Sequence, residues 1–227
     1  MIKYLAEFIG TFFLVLTIGF TVIGHGAGPL APLAIGSALM VMIFAGGHIS
    51  GGHFNPAVTL GVWPRGNCET KDVVLYMTFQ ITGAVLAALV VNFLKGGAAV
   101  APLQPAMVPA LVAEFLFTFA LVYVVLNVAT AKGTSGNSLY GLAIGFTVVV
   151  GAFSVGNISG GAFNPAVAAG ISVMGLSSWL NIWIYLVAEF AGAAVAAGAF
   201  QVLNPADHED VHQPDSRNEP QEHKEVA

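Results

Sequence analysis

The strongest constraint on the fold is a short stretch of sequence that occurs twice. Residues 47–59 and residues 156–168 share the core Ile-Ser-Gly-Gly-x-Phe-Asn-Pro-Ala-Val, and Asn164 follows Asn55 by 109 residues (164 − 55). Asparagine is a favourable helix N-cap, and proline fits the first helical position, where its missing N–H leaves no hydrogen bond unmade. Each copy therefore predicts irregular, glycine-rich backbone that leads into the N-terminus of a helix.

The rest of the chain has the composition of an integral membrane protein. Hydrophobic residues make up 56% of the 227 residues and charged residues 8%, whereas a soluble domain carries about 25% charged residues. A helix needs about 20 mostly apolar residues to cross a bilayer. On that basis we predict six membrane-spanning helices at about 4–24, 32–48, 73–95, 106–130, 138–156 and 178–203.

Two further apolar stretches, 56–63 and 165–174, directly follow the Asn-Pro pairs and are too short to span. We predict that they form re-entrant half helices, because irregular backbone at membrane depth is tolerated only where it lines a water-filled or protein-enclosed cavity. The glycine-rich stretches should then lie at such a cavity.

The repeat extends beyond the two motifs, since Tyr76 recurs as Tyr185 at the same separation. The unit is three spans plus one half helix, at about 1–95 and again at about 106–203. An odd number of spans inverts the second unit, which brings the N-termini of the half helices together near the midplane. The predicted fold class is an all-α membrane protein with an inverted three-span repeat.

The basic residues predict the orientation, because cytoplasmic loops are enriched in lysine and arginine. With the N-terminus inside the cell, Lys95 alone lies outside. The residues that then face the cytoplasm are Lys3, Arg65, Lys71, Lys132, Arg217 and Lys224. We expect a multi-pass protein of the inner (plasma) membrane with both termini cytoplasmic, residues 204–227 forming a polar, acidic, disordered tail. The single cysteine, Cys68, excludes an internal disulfide.

Asn55 and Asn164 are the first candidates for contacts with a solute. An asparagine amide offers one oxygen and one NH₂ group. If the oxygen caps the half helix, the NH₂ group is left to donate into the lumen and to hold a passing water molecule by its oxygen. The alternative is that each asparagine only caps its helix. The positive ends of both half helices would disfavour cations at the centre of the bilayer.

Further candidates lie in the loops and in the spans. The backbone before each asparagine can turn carbonyl oxygens towards the lumen, at Gly51, Gly52, His53, Gly160, Gly161 and Ala162. Glu7 and Glu114 are ionisable residues within spans. We expect them to accept hydrogen bonds from loop N–H groups that have no other partner, with a direct transport role as the alternative. Glu189, which the repeat pairs with Gln80, is assigned no role beyond an interhelical hydrogen bond.

These motifs on inverted three-span repeats resemble the aquaporin (major intrinsic protein) family, and His48–Thr59 is especially similar to bacterial water channels. The resemblance covers residues 1–203. It implies six spans plus two half helices, a pore in each protomer and a homotetramer in the lipid bilayer. The pore motifs that it implies are Asn55, Pro56, Ala57, Asn164, Pro165 and Ala166.

The resemblance also exposes a departure from the family pattern. Members usually carry an arginine directly after the second motif, and this chain has Val167. The other three constriction positions, counted from the motifs, are Ile35, Ala152 and Gly161. Water-selective members typically have a large aromatic residue at the first of these positions and a histidine at the second. The acidic residue that glycerol facilitators carry two positions after the second motif is Ala168 here. We therefore predict a wide, uncharged and apolar filter.

The predicted function is a passive channel for water and small neutral solutes, such as glycerol, urea, ammonia or uncharged metalloid hydroxides. A water-only channel is the first alternative. A secondary transporter or a purely structural membrane protein is less favoured, because the motifs offer no ion site beyond the glutamates of the spans. The spans contain no nucleophile–base set, metal-ligand cluster or phosphate loop. We therefore predict no enzymatic activity, cofactor, metal or nucleic-acid partner.

Overall fold

The computed structural model describes residues 1–98 and 100–207. Eight α-helices account for most of these residues: α1 (Ile2–Val22), α2 (Ala31–Ser50), α3 (Pro56–Val62), α4 (Thr70–Leu94), α5 (Met107–Ala129), α6 (Tyr140–Ser159), α7 (Pro165–Val173) and α8 (Ile182–Leu203). All but α3 and α7 belong to helical segments long and apolar enough to cross a membrane. The predicted fold class is therefore confirmed, with six spans and two half helices.

Small residues let the spans approach closely at repeat-related crossings. A Cβ atom at Gly83 of α4 would lie 2.6 Å from a backbone carbonyl oxygen of α1, and one at Gly192 of α8 would lie 2.6 Å from a carbonyl oxygen of α5. At the crossing of α2 with α6, added Cβ atoms at Gly36 and Gly145 would each lie 2.5 Å from the carbonyl oxygen of the other glycine. Such backbone contacts are a general means of helix association in lipid.

The spans α2 and α6 run further than the sequence predicts, to Ser50 and Ser159 instead of 48 and 156. His48, the last residue of the predicted second span, therefore lies within the last turn of α2. Glycines tolerate a left-handed backbone, so both helices stop where Gly51 (φ 91°) and Gly160 (φ 99°) follow. The irregular segments that remain are short, at 51–55 and 160–164; we call them the first and the second loop.

The contacts of the charged residues define two ends of the bundle. Lys3 pairs with Asp72, and Arg65 binds the carboxylate and the carbonyl group of Asp207. The start of the chain, the segment before α4 and the chain after α8 therefore meet at one end, which we call the N-terminal face. Lys95 lies at the opposite face, where its Nζ atom donates to carbonyl groups at the end of α1.

Residues 204–207 differ from the predicted disordered tail. Pro205–Asp207 forms a single helical turn, and Asp207 is buried. Its carboxylate accepts hydrogen bonds from the Arg65 guanidinium and from the backbone N–H of Lys132, both at 3.1 Å. Composition could not predict this anchor, because its partners come from distant segments of the chain. The rest of the predicted tail, 208–227, lies outside the described residues.

Candidate pore

The asparagine side chains start the two half helices. The Oδ1 atom of Asn55 accepts a hydrogen bond from the N–H of Ala57 at 2.8 Å, and that of Asn164 accepts one from the N–H of Ala166 at 2.9 Å. Each side chain thereby satisfies an N–H group of the first turn, which has no partner within the helix. The prolines that follow are buried at the first helical positions.

The amide nitrogens of the same two side chains join the loops to each other. The Nδ2 atom of Asn55 donates to the carbonyl oxygen of Phe163 at 2.8 Å, and Nδ2 of Asn164 donates to the carbonyl oxygen of Phe54 at 2.9 Å. An amide nitrogen carries two hydrogens, so one hydrogen of each is used across the repeat and the other has no acceptor among the described residues. This reciprocal bond differs from the prediction, in which the whole NH₂ group of each asparagine is left to donate into the lumen.

The two phenylalanines present these carbonyl groups through an uncommon backbone conformation. Phe54 has a φ of 47° and Phe163 a φ of 50°, and in the described residues they are the non-glycine residues with positive φ. A bulky residue in this region is strained. The repeat of Phe before Asn-Pro was visible in the sequence, although its role as a hydrogen-bond acceptor was not.

Glu7 of α1 supports the first loop from behind. Its side chain is completely buried, and its carboxylate accepts from the N–H groups of His53 and Phe54 at 3.0 and 2.6 Å. The hydroxyl of Ser50 and the amide of Gln80 donate to it as well, at 2.6 and 2.7 Å. These donors belong to backbone and side chains that would otherwise lie unpaired away from water.

Glu114 of α5 supports the second loop in the equivalent place. It is also completely buried, and it accepts from the N–H groups of Ala162 and Phe163 at 3.1 and 2.8 Å. One tyrosine in each repeat donates a hydrogen bond to the end of the helix that precedes the loop, α2 or α6. The hydroxyl of Tyr76 donates to the carbonyl of Ser50 at 2.8 Å, and that of Tyr185 to the carbonyl of Ser159 at 2.6 Å.

A cavity of about 390 Å³ passes both asparagines. All four predicted constriction residues lie on its wall: Ile35, Ala152, Gly161 and Val167. Among the described residues no charged side chain lines it, and its polar side chains are His53, Asn55, Asn164 and Tyr185.

A second cavity of about 650 Å³ opens at the N-terminal face, where His48, Lys132 and Tyr140 are part of its wall. Consecutive residues of the first loop line the two cavities, Gly52 the first and Gly51 the second. The other residues predicted to turn a carbonyl oxygen towards the lumen also line the first cavity: His53, Gly160, Gly161 and Ala162. No N–H or O–H group of the described residues donates to these carbonyl oxygens. These carbonyl oxygens therefore keep their full capacity to accept hydrogen bonds.

A family model described as the major intrinsic protein family matches residues 1–200. The chain belongs to the major intrinsic protein family. Members of this family are passive channels for water and small solutes and are not enzymes. The resemblance predicted from the two motifs is thus confirmed, and the chain is a multi-pass membrane protein.

The relatives include plant and bacterial proteins. The chain is 36% identical over 210 residues to Aquaporin NIP1-4 of Oryza sativa subsp. japonica. The aligned residues cover 88% of this chain and 76% of that relative. It is 37% identical over 217 residues to Glycerol uptake facilitator protein-like 6 of Lactiplantibacillus plantarum. The aligned residues cover 91% of this chain and 100% of that relative. The aquaglyceroporin from Plasmodium falciparum has the same fold, with a TM-score of 0.75 at 22% identity over 90% of this chain and 97% of that one.

The structure puts the departure from the usual pattern of major intrinsic proteins in the first turn of α7. Val167, at the position that usually carries arginine, is 4% exposed and borders the first cavity. Ala168, where glycerol facilitators carry an acidic residue, is completely buried and is not part of the cavity wall. The two motif alanines, Ala57 and Ala166, are completely buried as well.

Proposed function

We propose that the two cavities form a passive pore for water and for small neutral solutes, among them glycerol, urea, ammonia and uncharged metalloid hydroxides. The observation that carries the proposal is the set of side chains at the four constriction positions. Ile35, Ala152, Gly161 and Val167 surround the same cavity and bring neither charge nor hydrogen-bonding side chain to it. We assign these four residues the role of the selectivity filter.

The size of the filter follows from what these side chains lack. Valine in place of arginine removes a long side chain, a fixed positive charge and several donors. Gly161 and Ala152 add almost no bulk to the wall of the same cavity. A solute larger than water would make its hydrogen bonds with the carbonyl oxygens of the second loop and with the remaining amide hydrogens of Asn55 and Asn164. Weak, distributed contacts of this kind favour rapid passage.

Cations are excluded at the centre of the same path. The N-termini of α3 and α7 meet there, and each helix end carries a partial positive charge. No carboxylate of the described residues lines the first cavity to offset it. The two asparagine amides, both donors towards the lumen, would hold a water molecule by its oxygen and interrupt a chain of proton-accepting waters.

A secondary transporter is disfavoured by the position of the glutamates. Such a protein needs a site for a coupling ion or a charged substrate. Glu7, Glu114 and Glu189 are completely buried, and none of them lines either cavity.

We further propose that the N-terminal face is cytoplasmic and that the protein lies in the plasma membrane as a homotetramer with a pore in each protomer. Lys3, Arg65, Lys71 and Lys132 belong to segments of this face, whereas Lys95 lies at the opposite one. This asymmetry follows the rule that cytoplasmic loops are enriched in basic residues.

The filter is tested by Val167→Arg in proteoliposomes. Restoring a bulky cation should lower glycerol and urea fluxes strongly while water still passes; an added barrier of about 1.4 kcal/mol already lowers a rate about tenfold. Val167→Thr, which has nearly the same size and no charge, is the matched control and should keep the fluxes of both solutes. Equal glycerol and urea fluxes in Val167→Arg and the unaltered protein would show that the filter lies elsewhere.

A further inference from the structure

Glu189 is a buried acid for which the pore has no evident use. It lies in the middle of α8 and is completely buried. Neither of its carboxyl oxygens meets a donor hydrogen from any described residue. An unpartnered carboxylate in such a place is costly, so its protonation state and its neighbours need an explanation.

The internal repeat supplies the comparison. Gln80 occupies the equivalent position in the first repeat, and its amide donates to Glu7 at 2.7 Å and to the hydroxyl of Thr59 at 3.0 Å. In the second repeat the glutamine is replaced by Glu189 and the threonine by Ala168. The first loop therefore has a neutral donor behind its supporting glutamate, and the second loop has another acid there.

The two acids of the second repeat occupy the positions of a hydrogen-bonded pair in the first. Glu189 is equivalent to Gln80 and Glu114 to Glu7, both acids are completely buried, and their negative charges oppose each other. Two ionised carboxylates have no hydrogen to share, and their charges repel strongly where water is absent. One added proton removes a charge and makes the missing hydrogen bond.

No lysine or arginine of the described residues forms an ion pair with either acid. The ion pairs between described residues involve Glu69, Asp72 and Asp207, all at the N-terminal face. The half helices α3 and α7 contain no titratable residue, and α6 has only Tyr140, at its first position. On α8 itself the titratable neighbour is Tyr185, which is neutral and donates to the carbonyl of Ser159.

We propose that Glu189 is a neutral carboxylic acid that donates a hydrogen bond to Glu114, in the way that Gln80 donates to Glu7. Glu189 is then a positioning residue. It holds Glu114, Glu114 holds the N–H groups of Ala162 and Phe163, and the carbonyl of Phe163 holds Asn55. The second loop depends on a bound proton that the first loop does not need.

The sign of the pH dependence follows. The proton is bound at neutral and low pH, and the support of the second loop is complete there. As the pH rises far enough to remove the proton, two negative charges face each other behind the loop, and the cross-loop bonds loosen. Water permeability should therefore fall on the alkaline side and recover when the pH is returned to neutral.

The test combines infrared spectroscopy with water flux. The purified protein in lipid should show a protonated carboxyl C=O band at neutral pH that shifts in heavy water, and Glu189→Gln should remove this band. Glu189→Gln keeps a neutral donor, so it should also retain water permeability at the alkaline pH where the unaltered protein loses it. Glu189→Leu, which has no donor, should lower permeability at every pH.

Gln80→Glu is the matched control, because it builds the same acid pair behind the first loop. It should add a second carboxyl band and a steeper alkaline loss of flux. The proposal is overturned if the unaltered protein has no such band at neutral pH, if the band survives in Glu189→Gln, or if the band is lost at alkaline pH while permeability stays constant. The band is measured without any solute, so its outcome is independent of the solute range proposed above.

Discussion

At the scale of single residues, the centre of the molecule is held by two strained phenylalanines. The ring of Phe54 covers Gly10, where an added Cβ would lie 2.2 Å from the ring, and the ring of Phe163 covers Gly151, with an equivalent distance of 2.6 Å. Positive φ angles of this kind cost about 1–3 kcal/mol each. The rings are wedged into glycine recesses, and the carbonyls accept the asparagine amides, so the fold maintains the strain where the two loops meet.

Asn55→Asp should make the pore leak protons. Aspartate keeps the capping oxygen but loses the amide that donates to Phe163, and its negative charge offsets the positive potential of the helix N-termini. Proton flux into proteoliposomes containing a pH-sensitive dye should rise above that of the unaltered protein. Asn157→Asp, on the exposed last turn of α6, adds the same charge away from the lumen and should have no such effect. Equal proton fluxes in both variants would refute the role given to Asn55.

Cys68 should be inert in the folded protein. It is 7% exposed, and burial raises the pKa of its thiol to about 11, so almost no thiolate is present at neutral pH. A maleimide should label it slowly in mild detergent and rapidly after denaturation in SDS. Fast labelling of the folded protein would mean that the segment before α4 opens more readily than its packing indicates.

At the scale of the helices, the glycines at the crossings set how closely the spans approach. Gly192 faces a carbonyl oxygen of α5, whereas Gly198, less than two turns further along α8, has no atom within 4 Å of an added Cβ. The same residue type on one helix therefore has two different roles. The internal repeat distinguishes them in the sequence, since Gly192 is equivalent to Gly83 and Gly198 to Leu89, and the structure shows what each glycine faces.

Gly192→Ala should destabilise the protein and Gly198→Ala should not. The added methyl group at Gly192 forces α5 and α8 apart, and overpacking of this kind costs about 1–3 kcal/mol. At Gly198 the methyl group meets open space, and alanine favours the helix. Thermal unfolding in detergent distinguishes the two. Similar melting temperatures for both variants would contradict the close contact of α5 with α8.

The half helices are the elements that the sequence predicts best. Asn-Pro after paired glycines has one favourable local structure, and the short apolar runs behind it leave no room for a span. The helix ends were predicted less well, since Gly47, His48 and Ile49 fit both a loop and a last helical turn. The bonds from Asn55 to Phe163 and from Asn164 to Phe54 join residues more than a hundred positions apart, and local patterns carry no information about such pairs.

At the scale of the whole molecule, the two repeats have the same arrangement of helices, but the side chains in and behind their loops differ in polarity. The first loop contains His53 and has Thr59 and Gln80 behind it, and in the second repeat these residues are replaced by Ala162, Ala168 and Glu189. The positions could be paired from the sequence, and the inverted repeat followed from them. The pairing of Glu114 with a second acid could not be predicted in this way, because it depends on which side chains lie together behind the loop.

The orientation of the molecule can be tested by labelling introduced cysteines, because the native Cys68 should react too slowly to interfere. His25 lies in an exposed segment at the opposite face, and Ser135 lies in an exposed segment beside Lys132. A membrane-impermeant maleimide should label His25→Cys on intact cells and Ser135→Cys only after permeabilisation. The reverse pattern would place the N-terminal face outside.

The central claim is that an apolar, uncharged filter admits small neutral solutes as well as water. Osmotic light scattering on proteoliposomes containing the unaltered protein, challenged in turn with sucrose, glycerol, urea and arsenous acid, tests it most directly. We predict fast water efflux under sucrose and fast re-swelling under each of the small solutes, well above empty liposomes. Fast water efflux without re-swelling would contradict the wide filter, and no flux above empty liposomes would contradict the pore itself.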